Sequence, residues 1–110
     1  MLLLAPAAIA DVLDRVTILE LKLARVPADR RDAVGVELDA LRTAWAGAGL
    51  PPFDEVPEYA PLAAVNTVLW DVEDRLRAAE ARGEFGPAFV EDTRAVYHPN
   101  NRRATLQRAV

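Results

Sequence analysis

The sequence predicts an all-α fold, a small antiparallel bundle of about four helices with a short C-terminal helix. Apolar residues recur at alternating spacings of three and four, the repeat of one helix face. Proline and glycine punctuate the gaps between these runs, and no segment reads as a strand, an internal repeat or a low-complexity tract.

In the first helix Ile9, Val12, Val16, Leu19, Leu23 and Val26 share one face, and Pro27, with fixed φ and no N–H donor, stops it. A second helix starts near Asp29, where Val34, Leu38, Leu41, Trp45 and Ala48 continue the spacing and Gly49 is placed as the C-terminal cap. It should lie antiparallel to the first. Pro51, Pro52, Pro57 and Pro61 exclude regular structure between Gly49 and Pro61, which makes this the one long connection and the expected rim of a pocket. The third helix, from about Pro61 to Arg82, carries Leu62, Val65, Leu69, Val72, Leu76 and Ala79 in strict alternation, and Gly83 and Gly86 end it. A fourth begins at Pro87 and turns Phe89, Val90, Thr93, Val96 and Tyr97 inward. His98, preceding Pro99, is biased away from helix, and Asn100 or Asn101 is expected to cap the last one.

The 110 residues, 52% hydrophobic and 27% charged, suit one folded domain spanning 1–110 and exclude the apolar-poor composition of disorder. With no cysteine there is no disulfide framework, thiolate metal site or cysteine nucleophile, which fits a reducing cytoplasm. The apolar opening from Met1 to Ala10 has no basic residue ahead of it and runs directly into the pattern of the first helix, so it is expected to be mature chain and not a signal peptide. No run approaches the ~18 apolar residues of a membrane span, so a soluble chain is expected. Net charge is -4, unevenly spread: from Arg94 onward there are four arginines and no acid, and all 17 acids lie before it. Such a bipolar chain suits self-association, and a homo-oligomer is expected; its basic end also suits an anion. Nucleic-acid binding is not expected from an acidic body with one short basic end.

Several chemistries are excluded by residue type. Serine is absent, so no serine triad exists; the single His98 has no partner at metal-site spacing; there is no glycine-rich phosphate loop. No metal and no cofactor is expected. The candidates that remain lie beside the core. On the third helix Asn66, Trp70, Glu73, Arg77 and Glu80 form a second row about 100° around from the apolar one, hence half-buried. An amide, an indole, a carboxylate and a guanidinium in line would make the polar wall of an interhelical cleft. Alternatively Glu73 and Arg77 form an ordinary i,i+4 pair and Trp70 edges the core. Lys22 is the only lysine beside twelve arginines. With Asp14 and Ile18 it lies on one face of the first helix, where it could pair with Glu73 or Asp74 across the bundle or, as a buried amine, act as a base or Schiff-base former. Arg94, Tyr97, Asn100, Arg102 and Arg103 combine positive charge with a phenol and an amide near a helix N-terminus, a set suited to phosphate or carboxylate. The structural alternative is that Asn100 caps, Tyr97 packs and the arginines are solvated or pair with the acidic body.

Three blocks resemble a known family: Asp14-Arg15-Val16-Thr17-Ile18-Leu19-Glu20-Leu21-Lys22; the stretch Asn66 to Arg77, with the pattern N-x-x-L-W-x-x-E-D-x-x-R; and the stretch Arg94 to Ala104. Together they are similar to a family of short, uncharacterised, all-helical bacterial proteins, some of whose members lie near glycosyltransferase and cell-surface polysaccharide genes. The resemblance implies that Asp14, Lys22, Asn66, Trp70, Glu73, Asp74, Arg77, Arg94, Tyr97, Asn100 and Arg103 act together. The chain departs from the pattern at Arg15 and Gln107, where lysine is common, and at Asn101, where an acid is usual. The uncharged amide puts a metal-ligand or general-base role at position 101 in doubt.

Two functions follow as expectations. One is a non-catalytic binding or assembly module serving glycan or cell-surface polysaccharide biosynthesis, dimeric through an apolar face. The other is a small enzyme or metabolite-binding protein holding an anionic or sugar-like substrate between helices. There Arg77, Arg94 and Arg103 would bind charge and Asn66 and Tyr97 would orient it. Trp70 and Asn100 complete that set, and Glu73 or Asp74 with Lys22 would do acid–base work.

Overall fold

The computed structural model describes residues 8–110, and among these residues hydrogen-bonded turns and helix stops mark out five α-helices and one 3-10 turn. The helices are α1 (Ile9–Arg25), α2 (Ala28–Gly47), α3 (Tyr59–Arg82), α4 (Pro87–Ala95) and α5 (Tyr97–Ala109), with the 3-10 turn at Phe53–Glu55. No strand occurs among the described residues. The opening segment, expected above to be mature chain, lies outside them through residue 7. No helix among the described residues is long and apolar enough to cross a membrane.

The stops follow local chemistry. Val26 and Pro27 break α1 from α2 in extended conformation, and Gly49 and Gly83 adopt positive φ, 75° and 69°, just past the ends of α2 and α3. A side chain would be strained in that left-handed region, so glycine ends both helices at the lowest cost. At Gly83 the Glu84 N–H donates to the Ala79 carbonyl at 2.9 Å, closing the last turn of α3.

Leu13, Trp45, Leu62 and Leu106 meet where α1, α2, α3 and α5 converge, and Val16, Leu19 and Leu38 extend the core between α1 and α2. Helix directions follow from which residues meet. Leu13 lies with Leu62, and Ile18 and Lys22 further on lie with Trp70 and Glu73, so α1 and α3 run parallel. Leu62 lies with Leu106 and Val68 with His98, so α5 returns antiparallel to α3. Leu13 lies with Trp45 and Leu19 with Leu38, so α2 runs antiparallel to α1, and α4, set on α3 through Arg75 and Asp92, runs down α3 in the same direction as α5. The radius of gyration of 16.1 Å, against about 13 Å for a fully compact chain of this length, and extents of 49 × 35 × 23 Å describe an elongated bundle.

Four expectations are corrected. Ile9, placed on the inner face of α1, is 48% exposed because it begins the helix beyond the converging core. Val90, Thr93 and Tyr97, expected inward, are exposed, Val90 by 46% and Tyr97 by 67%. The helix breaks at Val96 between them, and α4, nine residues long, rests on α3 through Phe89 and Asp92. His98 is helical, and neither Asn100 nor Asn101 caps: α5 starts at Tyr97, so Pro99 falls in its first turn, where a missing N–H removes no helical bond. The long connection is shorter than drawn, since α3 begins at Tyr59 and takes Pro61 into its own first turn.

Candidate functional site

Asp14 points from α1 into the space between α3 and α5 and is 5% exposed. A carboxylate so placed requires partners of opposite charge or strong donors. It has them from both neighbouring helices. Arg103 of α5 binds it with two bonds, Nε to Oδ1 at 3.0 Å and a terminal nitrogen to Oδ2 at 2.6 Å. Asn66 of α3 donates its amide to the same Oδ1 at 2.9 Å and to the Thr17 hydroxyl at 2.8 Å. The Thr17 hydroxyl in turn donates to the Asp14 backbone carbonyl at 2.7 Å. The two bonds fix which way the amide faces, since both of its partners accept. The Asp14 hydrogen bonds raise the Arg103 pKa above its ordinary value against the opposing effect of burial, and the charges of Asp14 and Glu73 add to the rise. The guanidinium is a permanent cation here. No buried side-chain nitrogen or oxygen lacks a partner among the described residues, so this knot is closed.

One turn further along α1 and α3 the knot opens into a cleft of about 220 Å³, lined by Ile18, Lys22, Asn66, Leu69, Trp70, Glu73 and Arg103. Ile18 and Lys22, one turn apart on α1, face Asn66, Trp70 and Glu73, which repeat at four and three on α3. Leu69 floors it. Among the described residues neither Lys22 nor Glu73 belongs to an ion pair. The expected pairing of Lys22 with Glu73 or Asp74 is thus not formed: Asp74 pairs with Arg77, one turn on, and both are exposed. The anticipated Glu73–Arg77 pair is absent for the same reason. Arg25, near the end of α1, bonds Asp71 at 2.5 Å and ties the two helices together beside the cleft.

The structure brings Lys22, Asn66, Trp70, Glu73 and Arg103 to one place and leaves the other candidates elsewhere. Arg77 and Glu80 continue the Asn66 row but are exposed, because α3 outruns α1. Its 24 residues span about 36 Å against about 26 Å for the 17 of α1. Arg94 lies on an open groove with Phe85, Pro87 and Val90. Tyr97 and Asn100 are exposed on the first turn of α5, and Arg102 faces away from Arg103, into a groove with His98 and Val68. The basic segment is therefore not one anion site: being helical, it distributes its side chains around the axis.

Leu69, read from sequence as core, also floors the cleft, and Thr17 is the one member of the knot that sequence reasoning did not mark as a site residue. Thr17 was readable in principle, since it follows Asp14 by three on the same helix face and is a polar residue adjoining an apolar row. No group of three or more His, Asp or Glu side chains placed to hold a metal occurs among the described residues. Chemically, the cleft offers a lysine ammonium, a carboxylate, an indole and the outer edge of a guanidinium. Compared with known proteins, the chain matches no family model, no curated protein and no solved structure.

Proposed function

We propose that this chain is a non-catalytic helical binding module whose α1–α3 cleft takes a small anionic, sugar-like ligand, in the service of glycan or cell-surface polysaccharide biosynthesis. One observation carries the reading. Lys22 and Glu73 line the cleft beside Trp70 without an ion pair, whereas Asp14, Asn66 and Arg103 immediately behind them are engaged with one another. The compact ammonium of Lys22 suits a carboxylate or phosphate as a point charge. Glu73 accepts from hydroxyls, and the indole of Trp70 offers an apolar surface with an N–H at its edge. The glycan context rests on the resemblance of the three sequence blocks.

Binding is favoured over catalysis because the one buried carboxylate, Asp14, is consumed by Arg103 and Asn66, while Glu73 is exposed to water. No desolvated acid–base pair therefore faces a ligand in the cleft. Self-association belongs to the same reading and is supported by the exposed apolar residues Val68, Val90 and Tyr97 beside the basic end. A concentration series by sedimentation that shows only monomer sinks that part.

The ligand reading is tested by following the Trp70 indole N–H by NMR while adding glucuronic acid, galactose 1-phosphate or neutral glucose. The two anionic sugars should shift it and glucose should not; Lys22→Met should abolish the response. Silence of Trp70 towards all three sugars refutes the reading.

A further inference from the structure

A further cavity lies between the end of α2, the proline-rich connection and the start of α3. It measures about 470 Å³, within the ~300–1,000 Å³ of small-molecule sites. Trp45, Leu50, Phe53 and Tyr59 form an apolar wall, and the two charged residues on it, Arg42 and Asp54, are of opposite sign. We propose that this pocket binds the zwitterion of a free apolar α-amino acid, side chain against the aromatic wall, carboxylate at Arg42 and ammonium at Asp54. The inference is independent of the cleft reading.

The wall is built in advance. The Trp45 indole N–H donates to the Pro51 carbonyl at 2.6 Å, pinning the connection to α2. Phe53 sits 4.9 Å from Trp45 and 6.2 Å from Tyr59, ring centre to ring centre, the latter pair nearly parallel at 16°. The Tyr59 hydroxyl donates to Glu20 of α1 at 2.7 Å. Pro51, Pro52 and Pro57 restrict the backbone between these anchors. A pocket so held gives up little entropy when occupied, which is what a weak, small ligand needs.

The charges select the ligand. Arg42 pairs with Glu20 at 3.8 Å and with Asp39 at 3.9 Å, both longer than a hydrogen bond, so its charge is shared but its N–H donors are left to be filled by a carboxylate. Asp54 has no ion pair among the described residues. A purely anionic ligand would meet Asp54 with Glu20 and Asp39 nearby, and a purely cationic one would meet Arg42; a zwitterion satisfies both. A peptide end carries only one of the two charges and is disfavoured on the same ground.

The test uses the full-length, isotopically labelled chain, titrated with L-phenylalanine, phenylacetate and phenethylamine, the last two each lacking one charge. L-Phenylalanine should shift the Trp45 indole N–H with Kd on the order of 1 mM and leave Trp70 unmoved. Each singly charged analogue should bind at least roughly fivefold more weakly, and Arg42→Gln and Asp54→Asn, both on exposed residues, should each weaken L-phenylalanine by roughly five- to tenfold. A silent Trp45, or either analogue binding as tightly as L-phenylalanine, overturns the proposal. Unchanged affinity in both variants overturns it equally.

Discussion

The two ends of one row on α3 behave oppositely. Asn66 is buried and bonded to α1, and through Asp14 to Arg103 of α5, whereas Glu73, Arg77 and Glu80, which continue the same row, stand in water. Trp70, half-buried, marks the boundary. The row is set by the helical repeat, but its depth is set by what lies opposite, and α1 and α5 lie opposite only the first half. A polar stripe thus becomes a lock where three helices meet and an exposed face beyond it.

The lock should register as stability and the open half should not. The largest effect is expected for Arg103→Ala, which strands the Asp14 carboxylate in a buried site; urea unfolding should show a loss of about 3 kcal/mol. Arg103→Lys, which keeps charge but loses the two-pronged bond, should recover only part of it. Asn66→Ala leaves Thr17 and Asp14 each short of a donor and should cost about 2 kcal/mol. A loss below about 0.5 kcal/mol for either alanine variant would place the knot on the same footing as the surface.

A third region sharpens the comparison through pH. The Tyr59 phenol is pushed up from 10.0 to about 12, first by burial and then by its hydrogen bond and proximity to Glu20. Between those values the unfolded chain releases the proton and the folded chain holds it. The contribution of Tyr59 is therefore fully present below pH 10 and is lost as pH rises towards 12. Tyr59→Phe should remove the late phenolate step from an absorbance titration. The smallest effects are expected in the open half, where Glu73→Gln and Arg77→Ala should each change unfolding free energy by about 0.5 kcal/mol or less.

Much of the fold was legible because every long helix carries an uninterrupted apolar repeat: Leu13, a neighbour of the Val12–Val16 row, meets Leu62, which heads the α3 row. The stops at Pro27, Gly49 and Gly83 were equally local. The break at Val96 was not, since nothing in Arg94 to Pro99 forbids a helix starting at Tyr97, and Pro99 is harmless once that start is chosen. At the site, Asn66, Trp70 and Lys22 were found because an amide, an indole and a lone lysine stood out against their surroundings. That Arg103 would take Asp14, and that Arg94, Tyr97 and Asn100 would face elsewhere, depends on the rotation of α5 about its axis. A segment with as little apolar asymmetry as Tyr97–Ala109 does not encode that rotation locally.

The division of the stripe is tested most directly by two double-mutant cycles measured by urea unfolding. One pairs Asn66→Ala with Arg103→Ala; the other pairs Lys22→Met with Glu73→Gln. Shared dependence on the buried Asp14 predicts a coupling of about 1 kcal/mol or more in the first cycle, and the absence of an ion pair predicts about zero in the second. Equal coupling in the two cycles would mean that Lys22 and Glu73 lock the bundle as Asn66 and Arg103 do, and would contradict an open half.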